Sequence, residues 1–280
     1  MMLRCTIVVC CAATLSACSD NRTPAPIHAN YDAGSLPQLT CVPNLDGQID
    51  SSELSPALNI PARYLVSPQG KTRTVDLIGA ISTQGRRTWD FGADYADDQT
   101  ATISAVGLSG KWYAASFPTA TFTTPFDAGG STEAIYSYNS NAIALLGLAS
   151  KNVDGPGGKT LLVYTPPITV YRFPLSVGSR YTSTGTISGG TLRGQPYAGK
   201  DTYDINVDAS GEVKLAAYSF TQALRVRTSV TVEPSAGMAI TTKQTQFLFE
   251  CFGEIARATS QTGETNDDFT TAAELRRLGQ

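Results

Sequence analysis

From about Arg63 onward, short runs of alternating apolar and polar residues are separated by turn signals. In ALRVRTSVTV (223–232), Leu224, Val226, Thr228, Val230 and Val232 fall on one side of a strand. Arg225, Arg227, Ser229 and Thr231 fall on the other. In TYDINVD, Tyr203, Ile205 and Val207 oppose Asp204 and Asn206, and Asp208-Ala209-Ser210-Gly211 reads as a hairpin turn into Glu212–Leu215. In QFLFECFGEI, Phe247, Phe249 and Cys251 share a side, which predicts Cys251 on the apolar face of a strand. Further turn signals stand at Pro68–Gly70, Gly129-Gly130, Asn139–Asn141, Asp154–Gly158, Gly189-Gly190 and Ser235–Gly237. This punctuation leaves room for roughly a dozen strands. A two-residue period with one buried face is the mark of antiparallel sheets. The expected fold is therefore mostly β, an antiparallel β-sandwich or a partly closed β-barrel over 63–262. The wide loop at 151–158 suggests halves at 63–150 and 159–262.

Two segments depart from that pattern. In the tail, 263–280, NDDFTTAAELRRLGQ predicts a short helix. Thr271 and Glu274 have capping-box spacing, Arg276 and Arg277 suit the last turn, and Gly279 follows it. The other segment, 39–62, contains CVPNLDGQIDSSEL. With Gly47 at the sharp turn of a calcium loop, the oxygens of Asn44, Asp46, Gln48, Asp50 and Glu53 fall at ligand positions. The first position is Val42, which has no side-chain oxygen. No incoming helix precedes the loop, and Pro56 and Pro61 follow closely. The second reading makes Asp50 an N-cap and Glu53 its capping-box partner, so that the segment is a turn into a short helix anchored by Cys41. Both readings stand at this point. Any Ca²⁺ held there is expected to be weak and structural; no other cofactor is implied.

Composition narrows the function. The chain has 280 residues, of which 16% are charged, and a net charge of −3. That gives no basic footprint for nucleic acid. The single histidine, His28, lies in a proline-containing stretch without periodicity, and no nucleophile–base pair is legible. No catalytic residue is assigned. The one acidic cluster is Asp90, Asp94, Asp97 and Asp98 beside Trp89, Phe91 and Tyr95. It fits either a carbohydrate-active site or an acidic surface loop.

The N-terminus carries the most specific signal. Arg4 precedes an apolar stretch too short to span a bilayer, and the stretch ends in Leu15-Ser16-Ala17-Cys18. These residues resemble the lipobox of bacterial lipoproteins. The resemblance implies a signal peptide over 1–17, lipidation of Cys18, and a flexible tether over 18–38. It also implies a lipid-anchored place in the cell envelope. Ser19, rather than an aspartate, points to the outer membrane. Of the six cysteines, Cys5, Cys10 and Cys11 would leave with the signal and Cys18 would carry lipid. Cys41 and Cys251 remain, and in an oxidising compartment they are expected to form a disulfide.

A second resemblance is carried by YRFPLSVGSRYTSTG (171–185), with Phe173, Pro174, Leu175, Val177, Gly178 and Tyr181, and by FTQALRVRT (220–228) and FLFECFGEIAR (247–257). These phrases resemble a β-rich module of secreted bacterial proteins and envelope lipoproteins with no assigned catalysis. Cys251 and Glu254 depart from its commoner text. The expectation is a non-enzymatic, lipid-anchored β domain, structural or binding an envelope protein or glycan. The alternatives are a carrier of an apolar ligand in an open half-barrel, or a carbohydrate-active enzyme using Asp90–Asp98.

Overall fold

The period-2 segments form one large sheet. The structure, a computed structural model, describes residues 41–127, 129–155 and 157–279. Its strands are β1 (Gln48–Ile49), β2 (Ala62–Val66), β3 (Arg73–Thr74), β4 (Ala80–Ile81), β5 (Arg87–Phe91) and β6 (Gln99–Ile103). The middle of the chain adds β7 (Phe122–Pro125), β8 (Thr132–Tyr138), β9 (Ala142–Ser150), β10 (Leu161–Arg172), β11 (Leu175–Ser176) and β12 (Arg180–Leu192). The last are β13 (Gln195–Leu215), β14 (Ser219–Pro234), β15 (Ile240–Phe249), β16 (Gly253–Ser260) and β17 (Thr271–Leu278).

Neighbours run in the order β6-β2-β17-β16-β15-β14-β13-β12-β10-β9-β8-β7, and every pair along this path is antiparallel. The two ends of that path approach each other. Just beyond β6, Val106 exchanges both backbone hydrogen bonds with Thr123 of β7, at 2.9 and 2.8 Å. The sheet is thus a nearly closed antiparallel barrel.

Alternation decides what faces inward. Leu224, Val226, Thr228, Val230 and Val232 of β14 point inside, next to Tyr203 and Ile205 of β13. The opposite side of β12–β13 is a polar ladder, with Thr182 donating to Asp204 at 2.5 Å and Thr184 meeting Thr202 at 3.2 Å. The opposite side of β14–β17 is not left to solvent. Residues 73–98 lie across it and close a second core of Leu77, Trp89, Phe247, Ala256 and Leu275. Trp89 is fully buried against Phe247, ring centroids 4.8 Å apart, and its indole N–H donates to Leu77 O at 3.0 Å. Arg225 and Arg227 project into this layer, and both pair with Asp208, at 2.8 and 2.7 Å.

The segment 41–54 stops one end of the barrel. Ile49 and Leu54 enter the interior core beside Leu175, Val207 and Leu248, and β1 pairs with β11. Four ties hold it there. Cys41 and Cys251 form a disulfide with Cα atoms 5.6 Å apart. Cys251 N donates to Glu53 O at 2.8 Å, Leu45 N donates to Glu250 Oε2 at 2.8 Å, and the Tyr138 hydroxyl donates to Ser51 O at 2.7 Å. The disulfide spans 210 residues. Chain entropy alone gives such a crosslink roughly 5 kcal/mol, an upper figure.

Five expectations are corrected. The tail is not a helix: β17 sits inside the sheet between β2 and β16, with Leu275 N–H donating to Ser67 Oγ at 3.0 Å. Two waiting sheet edges outweigh a cap worth about 1 kcal/mol. Among the described residues only single 3-10 turns occur, and one of them, Ser51–Leu54, stands in place of the expected helix after Asp50. Asp208–Gly211 is not a hairpin turn but a pair of register shifts within the single strand β13. Gly211 is there for closeness, since a Cβ would lie 2.4 Å from Arg87 O of the parallel neighbour β5. Cys251 lies in the turn between β15 and β16, not on a strand, with φ of 66°. β9 and β10, on either side of 151–158, pair directly, so the expected halves share one sheet.

Leu275→Pro separates a central strand from a dispensable tail. Proline there deletes a buried N–H and is expected to lower unfolding free energy by about 3 kcal/mol or more, measured by urea denaturation. Wild-type stability in this variant would contradict the placement of β17.

Candidate functional site

The barrel interior is not filled. A cavity of ≈ 620 Å³ runs between its walls, within the roughly 300–1,000 Å³ typical of small-molecule sites. One wall is aliphatic, built from Ile143, Leu145, Leu162, Val170, Ile205 and Val230. Leu54 and Glu53 of the stopping segment contribute to the lining. Ile60, Phe126, Leu192 and Phe252 also line it and are exposed, so the space communicates with solvent.

Tyrosines supply much of the remainder. Tyr64, Tyr136, Tyr164, Tyr171, Tyr197 and Tyr203 all line the cavity. Burial raises the pKa of each, so they are neutral hydroxyls at any physiological pH. Tyr64 donates to Glu254 O at 2.8 Å. Phe122 stacks on Tyr136 with centroids 5.1 Å apart.

Apart from Glu53, charges enter at two places. Arg257 and Arg276 are direct partners across β16 and β17. Glu274 lies 3.2 Å from Arg257 and 3.3 Å from Arg276, and Glu254 lies 3.6 Å from Arg257. Burial works against the charge of Arg257, but Glu254 and Glu274 outweigh it and hold its pKa above the ordinary arginine value. Burial and the neighbouring Arg257 push Arg276 down. Two arginines and two carboxylates make this cluster self-neutralising. Such a group is costly to break and contributes little net stability as a whole.

The second place is Asp201, on β13. It shares the inward face with Tyr203 and Ile205. It is only 6% exposed, and its Oδ2 accepts from the Tyr164 hydroxyl at 2.5 Å. Its Oδ1 has no hydrogen-bond partner among the described residues. Desolvation raises its pKa, partly offset by the Tyr164 hydrogen bond.

The residues singled out from sequence are distributed differently. Asn44 Oδ1 accepts from Asp46 N and Asp46 Oδ1 from Gln48 N, both at 2.9 Å, and Glu53 Oε2 accepts from Asp50 N at 2.9 Å. Three of the five proposed ligand residues therefore serve local backbone amides. Asn44, Asp46, Gln48 and Asp50 face solvent, whereas Glu53 is buried, its pKa raised by desolvation and by Glu250, Asp50 and Asp46. Among the described residues, no group of three or more histidine, cysteine or acidic side chains is arranged to hold a metal.

The Asp90–Asp98 cluster lies in the outer layer. Asp97 and Asp98 meet Arg73 at 2.6 and 2.9 Å, Asp98 also pairs with Arg277, and Asp90 accepts from Gly92 N at 2.8 Å. The Tyr95 ring lies under both guanidinium groups, at 4.4 and 5.1 Å. Asp98 thus ties the layer to the barrel through Arg277, while the pairs with Arg73 and the Asp90 hydrogen bond lie within the layer itself. Cys18, His28 and the whole of 1–40 lie outside the described residues.

Sequence reading missed Asp201, Glu254, Arg257 and Arg276 as cavity groups. The signal for Asp201 was present, because it stands in register with Tyr203, Ile205 and Val207, an acid on an apolar face. No family model, curated protein or solved structure matches this chain.

Asp201 also makes a stability prediction. Its folded pKa lies above the ordinary value of 3.8, so the folded state disfavours its ionised form. That cost is present above the folded pKa and absent below 3.8. Asp201→Asn is therefore expected to be more stable than wild type at pH near 7, with the difference vanishing once the pH falls below the aspartate range. Melting curves across that pH range check it; equal stability at neutral pH would contradict it.

Proposed function

We propose that this chain is a lipid-anchored, non-enzymatic protein of the bacterial cell envelope whose barrel binds and carries a small apolar or amphipathic ligand. The observation that carries the ligand reading is the ≈ 620 Å³ interior cavity, with aliphatic walls, tyrosine hydroxyls and a few buried charges. Small-molecule sites have this composition, apolar for affinity with a few polar groups for orientation. The anchor reading rests on Leu15-Ser16-Ala17-Cys18, and the Cys41–Cys251 disulfide suits an oxidising compartment. A Ca²⁺ ion is not needed for this reading, since the oxygens of Asn44, Asp46 and Glu53 already serve backbone amides. For the alternative, an enzyme using Asp90–Asp98, Asp97 and Asp98 are engaged in ion pairs with Arg73 and Arg277.

Two outcomes follow. Val230→Trp places a bulky ring inside the cavity and is expected to weaken binding of an apolar fluorescent probe about tenfold or more, while cooperative unfolding is kept. A folded wild-type protein that binds no such probe, and from which no small molecule is extracted into organic solvent, would overturn the carrier reading. Cys18→Ala is expected to move the protein from the membrane pellet to the soluble fraction. Unchanged fractionation would overturn the anchor and leave the carrier reading standing.

A further inference from the structure

The two charged places in the cavity wall beyond Glu53 are not equivalent. Arg257 and Arg276 each leave Nε without a hydrogen-bond partner among the described residues, but their charges are compensated by Glu254 and Glu274 within ion-pair reach. Asp201 has one hydroxyl, and its Oδ1 is unpartnered among the described residues. Its sequence neighbour Lys200 points to the other side of the sheet and is paired with Glu233 at 2.5 Å. A buried carboxylate left without a cation is unfavourable unless it is protonated or a counter-charge arrives.

What surrounds Asp201 is aromatic. Tyr164, Tyr197 and Tyr203 pack into one cluster on the same stretch of wall, and all three line the cavity with Asp201. Gly199 makes room for the arrangement. It stands between Tyr197 and Asp201 on the inward face, and the Tyr197 hydroxyl lies 2.9 Å from where its Cβ would be. The Tyr197 side chain therefore leans along the strand toward the carboxylate. Ring faces attract cations through their quadrupole, and the attraction grows when water is excluded.

The overall balance has the same sign. Glu53, Asp201 and Glu254 line the cavity and Glu274 touches its arginines, against Arg257 and Arg276 as the bases. Acids outnumber bases, so an added anion would meet net repulsion and an added cation net attraction.

We infer that the ligand carries a positively charged nitrogen, a protonated amine or quaternary ammonium, which seats against Asp201 among Tyr164, Tyr197 and Tyr203 while its apolar part follows the aliphatic wall. This rests on the carrier reading and specifies what the carrier selects. The charge of Asp201 is then compensated only in the loaded state, and selectivity comes from a group that is unfavourable when the site is empty.

The test uses the full chain carrying Cys18→Ala and an apolar dye as displaceable probe. Dodecyltrimethylammonium, dodecanol and dodecanoate, each below its micelle concentration, share one tail and differ in head charge. The cation is expected to bind about tenfold more tightly than the alcohol, with dodecanoate weakest. Asp201→Asn is expected to bring cation and alcohol within about twofold of each other. Tyr197→Leu, at a half-buried position, should reduce the cation's advantage by a smaller factor. If wild type binds alcohol and cation equally, or dodecanoate most tightly, the inference about Asp201 fails and the carrier reading survives. If neither the dye nor any of the three ligands binds, the carrier reading itself fails.

Discussion

A twelve-strand antiparallel path that curls until its edges meet encloses more volume than its own side chains fill. Barrel diameter grows with strand number, and about eight strands already give an interior that side chains can just occupy. Here the path from β6 to β7 is longer than that, and the hydrogen bonds between Val106 and Thr123 bring its ends together. The large tyrosines on β8, β10 and β13 occupy part of the excess, and the rest remains as the cavity. The inside is apolar because one side of each strand is apolar, and its polar atoms must then find partners locally. Arg257 finds Glu274 on the neighbouring strand and Arg276 finds it along its own, and Tyr64 finds a backbone carbonyl. The cavity is thus a consequence of closure, and its chemistry a consequence of which polar groups the inward register happens to include.

Closure leaves ends that must be stopped, and the segment 41–54 does so at one of them. Its apolar contribution is small, chiefly Ile49 and Leu54. A short irregular segment with so little buried surface would not hold its place against the entropy of the free chain at about 1–2 kcal/mol per residue. The disulfide to Cys251 and the hydrogen bonds to Glu250, Cys251 and Tyr138 compensate for that deficit. The calcium-loop resemblance of the same residues follows from shared geometry: a tight turn through Gly47 with side-chain oxygens folded back onto amides. The shape of the loop serves anchoring whether or not an ion joins it.

The strands of the second half were legible because alternation on β13, β14 and β15 is long and regular, and the Cys41–Cys251 pairing was legible from counting. Errors arose where local signals met long-range partners. NDDFTTAAELRRLGQ has good cap chemistry, yet Ala272, Leu275 and Arg277 turn to the outer layer while Glu274 and Arg276 turn inward, a strand's division that only the neighbours β2 and β16 enforce. Asp208–Gly211 has turn composition, but its aspartate serves Arg225 and Arg227 and its glycine admits β5. The second covering over β14–β17 was invisible for the same reason. Arg225 and Arg227 read as a solvent face until Asp208, Asp268 and Trp89 are seen around them. Alternation tells which side of a strand is buried; it does not tell whether the buried side is packed solid or borders an open space.

That last distinction is where function enters. A filled barrel and a hollow one can share the same strand pattern, and they differ in whether inward polar groups are matched to each other. On β16 and β17 the charges are matched, because two arginines and two glutamates lie within reach of one another along and across the two strands, although Arg257 Nε and Arg276 Nε have no hydrogen-bond partner among the described residues. On β13 they are not, because the residues around Asp201 are tyrosines and aliphatics, and a tyrosine hydroxyl supplies a hydrogen bond but no charge. An apolar residue at position 201 would remove this penalty without disturbing the alternation. The carboxylate is therefore a cost to the empty barrel that closure does not require, and a bound positive group is the partner that would offset it.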